Sequence, residues 1–407
     1  TLGLTLTTVK VGVLLVSDTQ GTPETADDIS YSAITASVGS ASFIGIPGLS
    51  ATVSNATLSI NQSSGSSVLD FVNTADATNA TDNSASSFAL PGTSLSLAID
   101  GDEGALLQAE ADLVLDAFGL VSLTGHFGFK KASATFYKTL SHSTTEFSGQ
   151  YLAMGGSVTS AFVGVGTLGL TLTTVKVGVL LVSDGTDKYS AITASVGSAS
   201  FTGIPGLSAT VSNATLSINQ SSGSSVLDFV NTADATNATD NSASSFALPG
   251  TSLSLAIDGD EGALLQAEAD LVLDAFGLVS LTGHFGFKKA SATFYKTLSH
   301  STTEFSGQYL AMGGSVTSAF VGVGTLGLTL TTLKVGVLLV SDGTSDYSAI
   351  TASVGSASFT GIPGLTATVS NATLSINQSN GSSVLDFANT DNAVNNTDNL
   401  AASFALP

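Results

Sequence analysis

The segment Leu106–Phe129, LLQAEADLVLDAFGLVSLTGHFGF, decides the fold class because its apolar residues recur at every second position. The series is Leu107, Ala109, Ala111, Leu113, Leu115 and Ala117, and after Gly119 it is Val121, Leu123, Gly125, Phe127 and Phe129. A helix would scatter these residues around its circumference, whereas a strand places them on one face. The first arm contains good helix formers, but the spacing predicts two strands with one buried face.

Phe118 and Gly119 separate the two arms and are predicted to form the turn of a hairpin. In the expected register, apolar residues face apolar residues and polar partners meet on the other face. The predicted pairs are Ala111 with Phe127, Leu115 with Leu123, Ala117 with Val121, Gln108 with Lys130, and Asp112 with His126. A straight strand through Gly119 is the alternative.

A long tandem repeat is the second feature of the sequence. The motif TLGLTLTTVKVGVLLVSD begins at Thr1 and at Thr167, and it returns at Thr325 with Leu333 in place of valine. The copies differ in length because of an insertion after Asp18, which indicates an exposed loop tip. We predict β-rich repeat 1 at residues 1–166, repeat 2 at 167–324 and a partial repeat 3 at 325–407, as a window of a longer array.

Alternation with period two continues along each repeat, in Leu2, Leu4 and Leu6 and in Val9, Val11 and Val13 among other series. It predicts an all-β protein of tandem, stacked strands, arranged as solenoid-like or elongated β-sandwich units. A polar link rich in Asn, Asp, Ser and Thr runs from Val68 to Ser94 and is expected at an edge of the stack.

The composition excludes several function classes. The chain has a net charge of −21, no Cys and no Trp, and its basic residues are all lysine. An acidic chain without arginine is a poor partner for nucleic acid and for anionic membrane surfaces. The apolar stretch from Leu152 to Val182 is interrupted by Gly, Ser and Thr, so no membrane span is expected.

One acidic cluster is a candidate metal site. Asp100, Asp102 and Glu103 lie in the sequence IDGDEG, and Asp258, Asp260 and Glu261 repeat it. Carboxylate oxygens on a loop bent at glycine suit calcium. An Asp-Gly turn between two strands explains the same residues without a metal.

Other candidate chemistry is weaker. Glu110, Asp112 and Asp116 lie on the polar face of one strand, where paired carboxylates could hydrolyse glycosides or simply face solvent. The histidines His126, His142, His284 and His300 show no metal-binding spacing. We therefore expect no catalytic residues, no cofactor other than possible calcium, and no enzymatic activity.

The chain also carries several Asn-x-Ser/Thr sequons, which accept glycans in exported proteins of organisms that glycosylate asparagine. The candidate glycosylation sites are Asn55, Asn61, Asn79, Asn213, Asn219, Asn237, Asn371, Asn377, Asn380 and Asn395. Many sequons arise by composition alone in a chain so rich in Asn, Ser and Thr.

The motifs AFGLVSLTGHFGF and IPGLSATVSNATLSI recur within copies that are themselves in tandem. In this architecture the chain resembles the giant tandem-repeat surface proteins of bacteria, which are adhesin-like chains of β-rich extracellular repeats. The resemblance implies export, an extended shape, and a role in adhesion or as a fibre or sheath component. It also implies calcium between modules, which here could fall only on Asp100, Asp102, Glu103 and their copies.

The sequence as a whole predicts a non-enzymatic extracellular or cell-surface structural protein, namely a filament, a sheath or an adhesin stalk. Near-identical tandem copies add length and avidity, which a catalytic domain seldom needs. The expected partner is the chain itself, associated into an extended array or filament, with a possible surface or carbohydrate ligand. The alternative is a repetitive binding module for carbohydrate, ice or a surface, presented on threonine-rich alternations such as Thr5, Thr7 and Thr8.

Overall fold

A computed structural model describes residues 2–22, 26–71, 87–140, 143–229, 245–298, 301–387 and 404–407. The protein is all-β: the described residues contain strands and no helix. Seventeen strands belong to one large antiparallel sheet, and two short pairs of strands lie outside it. The all-β prediction is therefore confirmed.

The strands of the first part are β1 Gly3–Asp18, β2 Ile29–Ile44, β3 Leu49–Ser63, β4 Phe88–Ala89, β5 Ser96–Leu97, β6 Leu106–Ala117, β7 Val121–Leu140, β8 Ser143–Val165, β9 Leu168–Ser183, β10 Lys188–Thr202 and β11 Leu207–Ser221. The remaining strands are β12 Val226–Asp228, β13 Phe246–Ala247, β14 Ser254–Leu255, β15 Leu264–Ala275, β16 Val279–Leu298, β17 Ser301–Val323, β18 Leu326–Ser341, β19 Asp346–Ile362, β20 Leu365–Ser379 and β21 Val384–Leu385.

The hairpin of β6 and β7 has the predicted register. The observed pairs include Ala111 with Phe127, Leu115 with Leu123, Ala117 with Val121, Gln108 with Lys130, and Asp112 with His126. Phe118 and Gly119 have φ angles of 60° and 64°, as the central residues of a type I′ turn require, and the Leu120 N–H donates to the Ala117 carbonyl at 2.9 Å. The first arm is a strand, which excludes both a helix and a straight strand through Gly119.

The chain divides into two compact units that do not coincide with the sequence copies. Unit 1 comprises Thr1–Gly164, Thr174–Thr193 and Ser221–Ile257, and unit 2 comprises Val165–Thr173, Ala194–Gln220 and Asp258–Pro407. Unit 1 thus contains segments from two sequence copies. The division of the chain into three repeats stays a prediction.

Each unit is built on antiparallel neighbours that follow the chain order. In unit 1, β1, β2, β3, β6, β7 and β8 pair in succession, and β12 pairs with the far end of β7. In unit 2, β15 to β20 pair in succession, and β21 pairs with β16. β12 pairs with the end of β7 that extends past β6, and β21 pairs with the end of β16 that extends past β15.

A bulge explains why the apolar alternation changes phase within strands. Thr8 has a φ of 54° and separates the Leu2–Leu6 series from the Val9–Val13 series. Asn55 has a φ of 51°, and the register of β3 with β6 shifts at the same level. One extra residue per strand keeps both apolar series on one face of the sheet.

The two faces of the sheet differ in what covers them. The described end of the polar link and the residues after it pack on the face that carries Lys10 and Gly12, where Leu90 and Leu97 are buried. The opposite face carries Val9, Val11 and Val13, which are about half-exposed. The apolar series of β1 therefore lies on the more exposed face. Residues 72–86 of the polar link lie outside the described residues, so its position at an edge of the stack stays a prediction.

Candidate functional site

The junction between successive sequence copies is the most elaborate site of the described residues. We define the junction segment as residues 226–229 and 245–257, which belong to sequence copy 2 but to compact unit 1. Within unit 1 this segment packs on β7, β8 and the second half of β9. Repeat 1 thus receives part of its core from repeat 2.

Aromatic rings anchor the junction segment. The ring of Phe246 lies 5.7 Å from that of Phe136 and 5.3 Å from that of Tyr151, measured between centroids. The Tyr151 ring meets Phe246 edge-on, at 83°. Phe136 and Tyr151 are buried, and this burial raises the pKa of the Tyr151 phenol. Edge-to-face pairs of this kind stabilise a core beyond the area they bury.

Glycines in the strands let the backbone of the junction segment approach closely. A Cβ atom at Gly155 would lie 2.0 Å from the Pro249 carbonyl oxygen, and one at Gly178 would lie 2.0 Å from Leu248 Cδ1. A Cβ atom at Gly128 would lie 2.7 Å from the Gly250 nitrogen. Glycine inside a strand often marks such close contact, and here each one forms part of the docking surface.

The short strand β12 completes the junction at its other end. Val226 pairs with Thr139 and Asp228 pairs with Tyr137, on the part of β7 that extends past β6. Asp228 is buried, and its Oδ2 atom accepts hydrogen bonds from the hydroxyls of Thr139 and Thr144. A carboxylate in such a place needs these donors, because burial without them would be costly.

Unit 2 contains the same junction, formed by residues 384–387 and 404–407 on β16, β17 and β18. The ring of Phe404 lies 5.6 Å from Phe294 and 5.1 Å from Tyr309. A Cβ atom at Gly313 would lie 1.9 Å from the Pro407 oxygen, and Asp386 accepts a hydrogen bond from Thr297 at 2.6 Å. The same junction therefore occurs in both units.

A lysine–aspartate pair ties the hairpin of β7 and β8 to the start of β10. Lys138 Nζ donates to Asp184 Oδ2 at 2.8 Å, and the Tyr189 hydroxyl donates to the same oxygen at 3.0 Å. The hydrogen bond from Lys138, with backbone N–H groups of Asp187 and Thr186, lowers the pKa of Asp184. The same pair raises the pKa of Lys138. Unit 2 repeats it with Lys296, Asp342 and Tyr347.

The first copy of the segment differs in exposure. Leu90 packs on Gly12 and is buried, as Leu248 is on Gly178. Phe88 contacts Phe71 at 6.4 Å between centroids, yet 44% of Phe88 remains exposed. The same FALPG sequence therefore has one partly exposed copy, at Phe88, and one copy half-buried between aromatic rings, at Phe246.

The predicted calcium ligands occupy a tight turn. Asp100 Oδ1 accepts a hydrogen bond from the backbone of Asp102 at 3.0 Å, and Glu103 forms an ion pair with Lys130. In the second copy Asp258 accepts from Asp260 at 3.0 Å, while Glu261 pairs with Lys288. Within the described ranges no group of three or more acidic or histidine side chains could hold a metal ion. Calcium at these six residues stays a prediction.

The carboxylates of β6 are engaged with a histidine. His126 Nδ1 lies 2.7 Å from Asp112 Oδ1, and His126 Nε2 lies 3.7 Å from Glu110 Oε2. The pKa of Asp112 is lowered, mainly by the hydrogen bond from Asn55 at 2.7 Å and then by His126. Asp116 accepts the Gly119 N–H at 3.0 Å and stabilises the turn.

The second copy of this cluster has the same geometry. His284 Nδ1 lies 2.7 Å from Asp270 Oδ1, which belongs to the counterpart of β6. The hydrogen bond from Asn213 is the main cause of a lowered pKa at Asp270. His142 and His300 lie outside the described residues. Both clusters lie on the solvent-accessible surface, where such contacts contribute little to stability.

The predicted sequons fall into three groups. Asn61 and Asn219 are fully buried, and Asn61 donates to the Leu69 carbonyl at 2.5 Å, so a glycan there would displace a core contact. Five sequons are exposed: Asn55, Asn213, Asn371 and Asn377 lie on strands, and Asn380 directly follows β20. Three sequons, Asn79, Asn237 and Asn395, lie outside the described residues.

Sequence reasoning found the residues of the turn and of the β6 face, but it missed the junction. The strand glycines on the polar face, such as Gly155 and Gly178, were the available signal. A comparison with models of known protein families and with curated proteins finds no match. In the described part of the chain, none of the elements is a helix long and apolar enough to cross a membrane.

Proposed function

We propose that the protein is a non-enzymatic extracellular structural protein, a filament, sheath or adhesin stalk built from tandem β repeats. The observation that carries the proposal is the repeated junction, in which a segment of one sequence copy completes the core of the copy before it. Phe246 inserts beside Phe136 and Tyr151 in unit 1, and Phe404 inserts beside Phe294 and Tyr309 in unit 2.

This arrangement suits a load-bearing array. Interlocked neighbours transmit force through buried side chains and paired strands, whereas independent domains transmit it only through linkers. In repeat proteins, stability is approximately the sum of each repeat and its contacts with its neighbours. The resemblance to tandem-repeat bacterial surface proteins supports the same role.

Replacement of the anchoring ring tests the proposal. Phe246→Ala should destabilise the protein by about 2 kcal/mol, because a half-buried ring that contacts the buried rings of Phe136 and Tyr151 is removed. Phe88→Ala is the matched control, since the same residue of the first copy is 44% exposed and lies against one ring only. Denaturant unfolding measures both, and equal losses would contradict the proposal.

Electron microscopy of native material addresses the assembly itself. We expect filaments or a layer with an axial period that matches one sequence copy or a simple multiple of it. Isolated particles at every concentration would count against a filament or sheath and leave only the stalk.

A binding module is the second candidate function, and rows of hydroxyls favour it. Thr5 pairs with Ser42, and Ser42 lies 3.1 Å from Thr52 between hydroxyl oxygens. The same contact recurs at 3.0 Å between Ser200 and Thr210. Thermal hysteresis and a carbohydrate array would test for ice and sugar ligands, with Thr5→Val as the variant expected to weaken binding.

A further inference from the structure

The face of the sheet opposite the junction segment is apolar over its whole breadth in unit 2. One row of directly paired residues crosses all six strands from β15 to β20 without a polar side chain. The row is Ala267, Phe287, Met312, Val337, Ile350 and Ile376. We call the surface around this row the open face.

The neighbouring rows extend the open face. Two of them consist of apolar residues and glycine: Ala269, Phe285, Gly314, Val335, Ala352 and Leu374, and then Leu271, Gly283, Val316, Leu333, Val354 and Ala372. A border row contains the one charge of these four rows, at Lys289, with Leu265, Leu310, Leu339, Ser348 and Gln378.

The open face is accessible, and the other face has the opposite character. Val335 is 41% exposed and Leu374 is 51% exposed. The row behind them on the other face is polar throughout, with Asp270, His284, Ser315, Lys334, Ser353 and Thr373. An antiparallel sheet with one apolar face and one polar face usually packs its apolar face against another layer of the structure.

Unit 1 repeats the pattern. Its corresponding row is Val11, Ala36, Leu58, Ala109, Phe129 and Met154. Val11 is 55% exposed, and its neighbours in the same strand, Val9 and Val13, are exposed to a similar extent. A single exposed apolar residue is ordinary, but a contiguous apolar surface of this size marks an interaction site.

We propose that the open face packs against the open face of a second copy of this chain, as the two sheets of a β-sandwich pack. Six strands about 4.8 Å apart and about twelve residues long span roughly 1,100 Å² of sheet. A stable pair of proteins needs about 800 Å² per partner. One unit of the chain therefore offers enough area for a stable partner.

The periodic sequence favours an identical partner over a different one. Because each unit carries an apolar row that crosses six strands, the open face of a second copy is apolar wherever the open face of the first is. Contacts formed at both units then reinforce each other. The net charge of −21 opposes close approach in general, but the open face carries no acidic residue in these rows. The inference rests on the proposed structural role, in which lateral pairing would thicken a filament or close a sheath.

Sedimentation velocity of the full chain tests the pairing. The double variant Val11→Glu with Val335→Glu places one charge on the open face of each unit and should weaken self-association at least tenfold. The control Thr5→Glu with Ser353→Glu adds the same charge to the other face and should leave the mass unchanged. Unfolding midpoints close to that of the unmodified protein would show that all variants fold.

Three results would overturn the pairing. These are a monomeric unmodified chain at micromolar concentration, equal dissociation by both double variants, or a monomer that floats with phosphatidylcholine vesicles unless Val335 is charged. The last would assign the open face to lipid. None of them alters the Phe246→Ala comparison, so failure of the pairing is distinguishable from failure of the proposed function.

Discussion

Individual glycines set the distance between the junction segment and the strands beneath it. Gly155 and Gly313 occupy equivalent positions, and each lies against the carbonyl oxygen of a proline. A Cβ atom at either position would lie within 2.0 Å of that oxygen, so no side chain fits there. Their φ angles are not in the left-handed region, so the requirement is for space and not for backbone freedom.

Gly155→Ala should therefore destabilise the protein, by about 1–3 kcal/mol, because the added methyl group overpacks the contact with Pro249. Denaturant unfolding gives the value. Gly3→Ala is the matched control, since a Cβ atom there has no atom within 4 Å and the change should have little effect. A neutral Gly155→Ala would mean that the segment is not docked as described.

Asp184 makes stability depend on pH. Its pKa is lowered in the folded protein, first by Lys138 and then by backbone N–H groups. A lowered folded pKa stabilises the protein above the ordinary carboxyl range near pH 4, and this stabilisation is lost as the pH falls further. Asp184→Asn should lower the unfolding midpoint at pH 7, and its difference from the unmodified protein should shrink as the pH falls from about 4 to 2.

Asp27→Asn, in the exposed loop after β1, is the control for that change and should leave the midpoint unaltered at either pH. A constant difference between Asp184→Asn and the unmodified protein across the acid range would assign the loss to packing and not to charge.

Among the elements, the hairpin of β6 and β7 was the most predictable. Its register follows from two local facts, the period of the apolar residues and the tight turn at Phe118 and Gly119. The phase change at Thr8 and the docking of Phe246 were not predictable in this way. Both depend on contacts between segments that are distant in sequence. An extra residue at Thr8 can be recognised as a bulge only when the strands that pair with β1 and β3 are known.

The turn of that hairpin carries a residue that the conformation does not favour. Phe118 has a φ of 60°, which asparagine tolerates far better than an aromatic residue does. Phe118→Asn creates an Asn-Gly turn and should stabilise the hairpin by about 1 kcal/mol. Thermal unfolding measures the change, and Phe276→Asn in the second copy should reproduce it. A loss of stability would show that the contact of the Phe118 ring near Gly48 matters more than the turn.

At the scale of the whole molecule, sequence copies and compact units are out of step. The candidate calcium residues Asp100 to Glu103 show which features the sequence predicts. The turn was expected from the Asp-Gly sequence, but the ion pair of Glu103 with Lys130 is evident only from the fold. The tandem copies were evident from the sequence. Their interlocking was not, because the short apolar series of the exchanging segment, such as Leu253, Leu255 and Ile257, predicts a buried face but not which copy that face packs on.

Removal of the junction from unit 2 tests whether one copy stabilises the one before it. A chain without Phe404–Pro407 loses the ring beside Phe294 and Tyr309 and the backbone on Gly313. The unfolding midpoint should fall by the equivalent of about 2–4 kcal/mol, as for other large truncations in a core. A peptide with the sequence of residues 246–255, FALPGTSLSL, should restore part of the loss because it supplies the same groups. The control peptide AAAPGTSLSL should restore none, since it lacks the phenylalanine and leucine anchors. If the shortened chain is as stable as the full one, the copies are independent beads and the interlocked array is excluded.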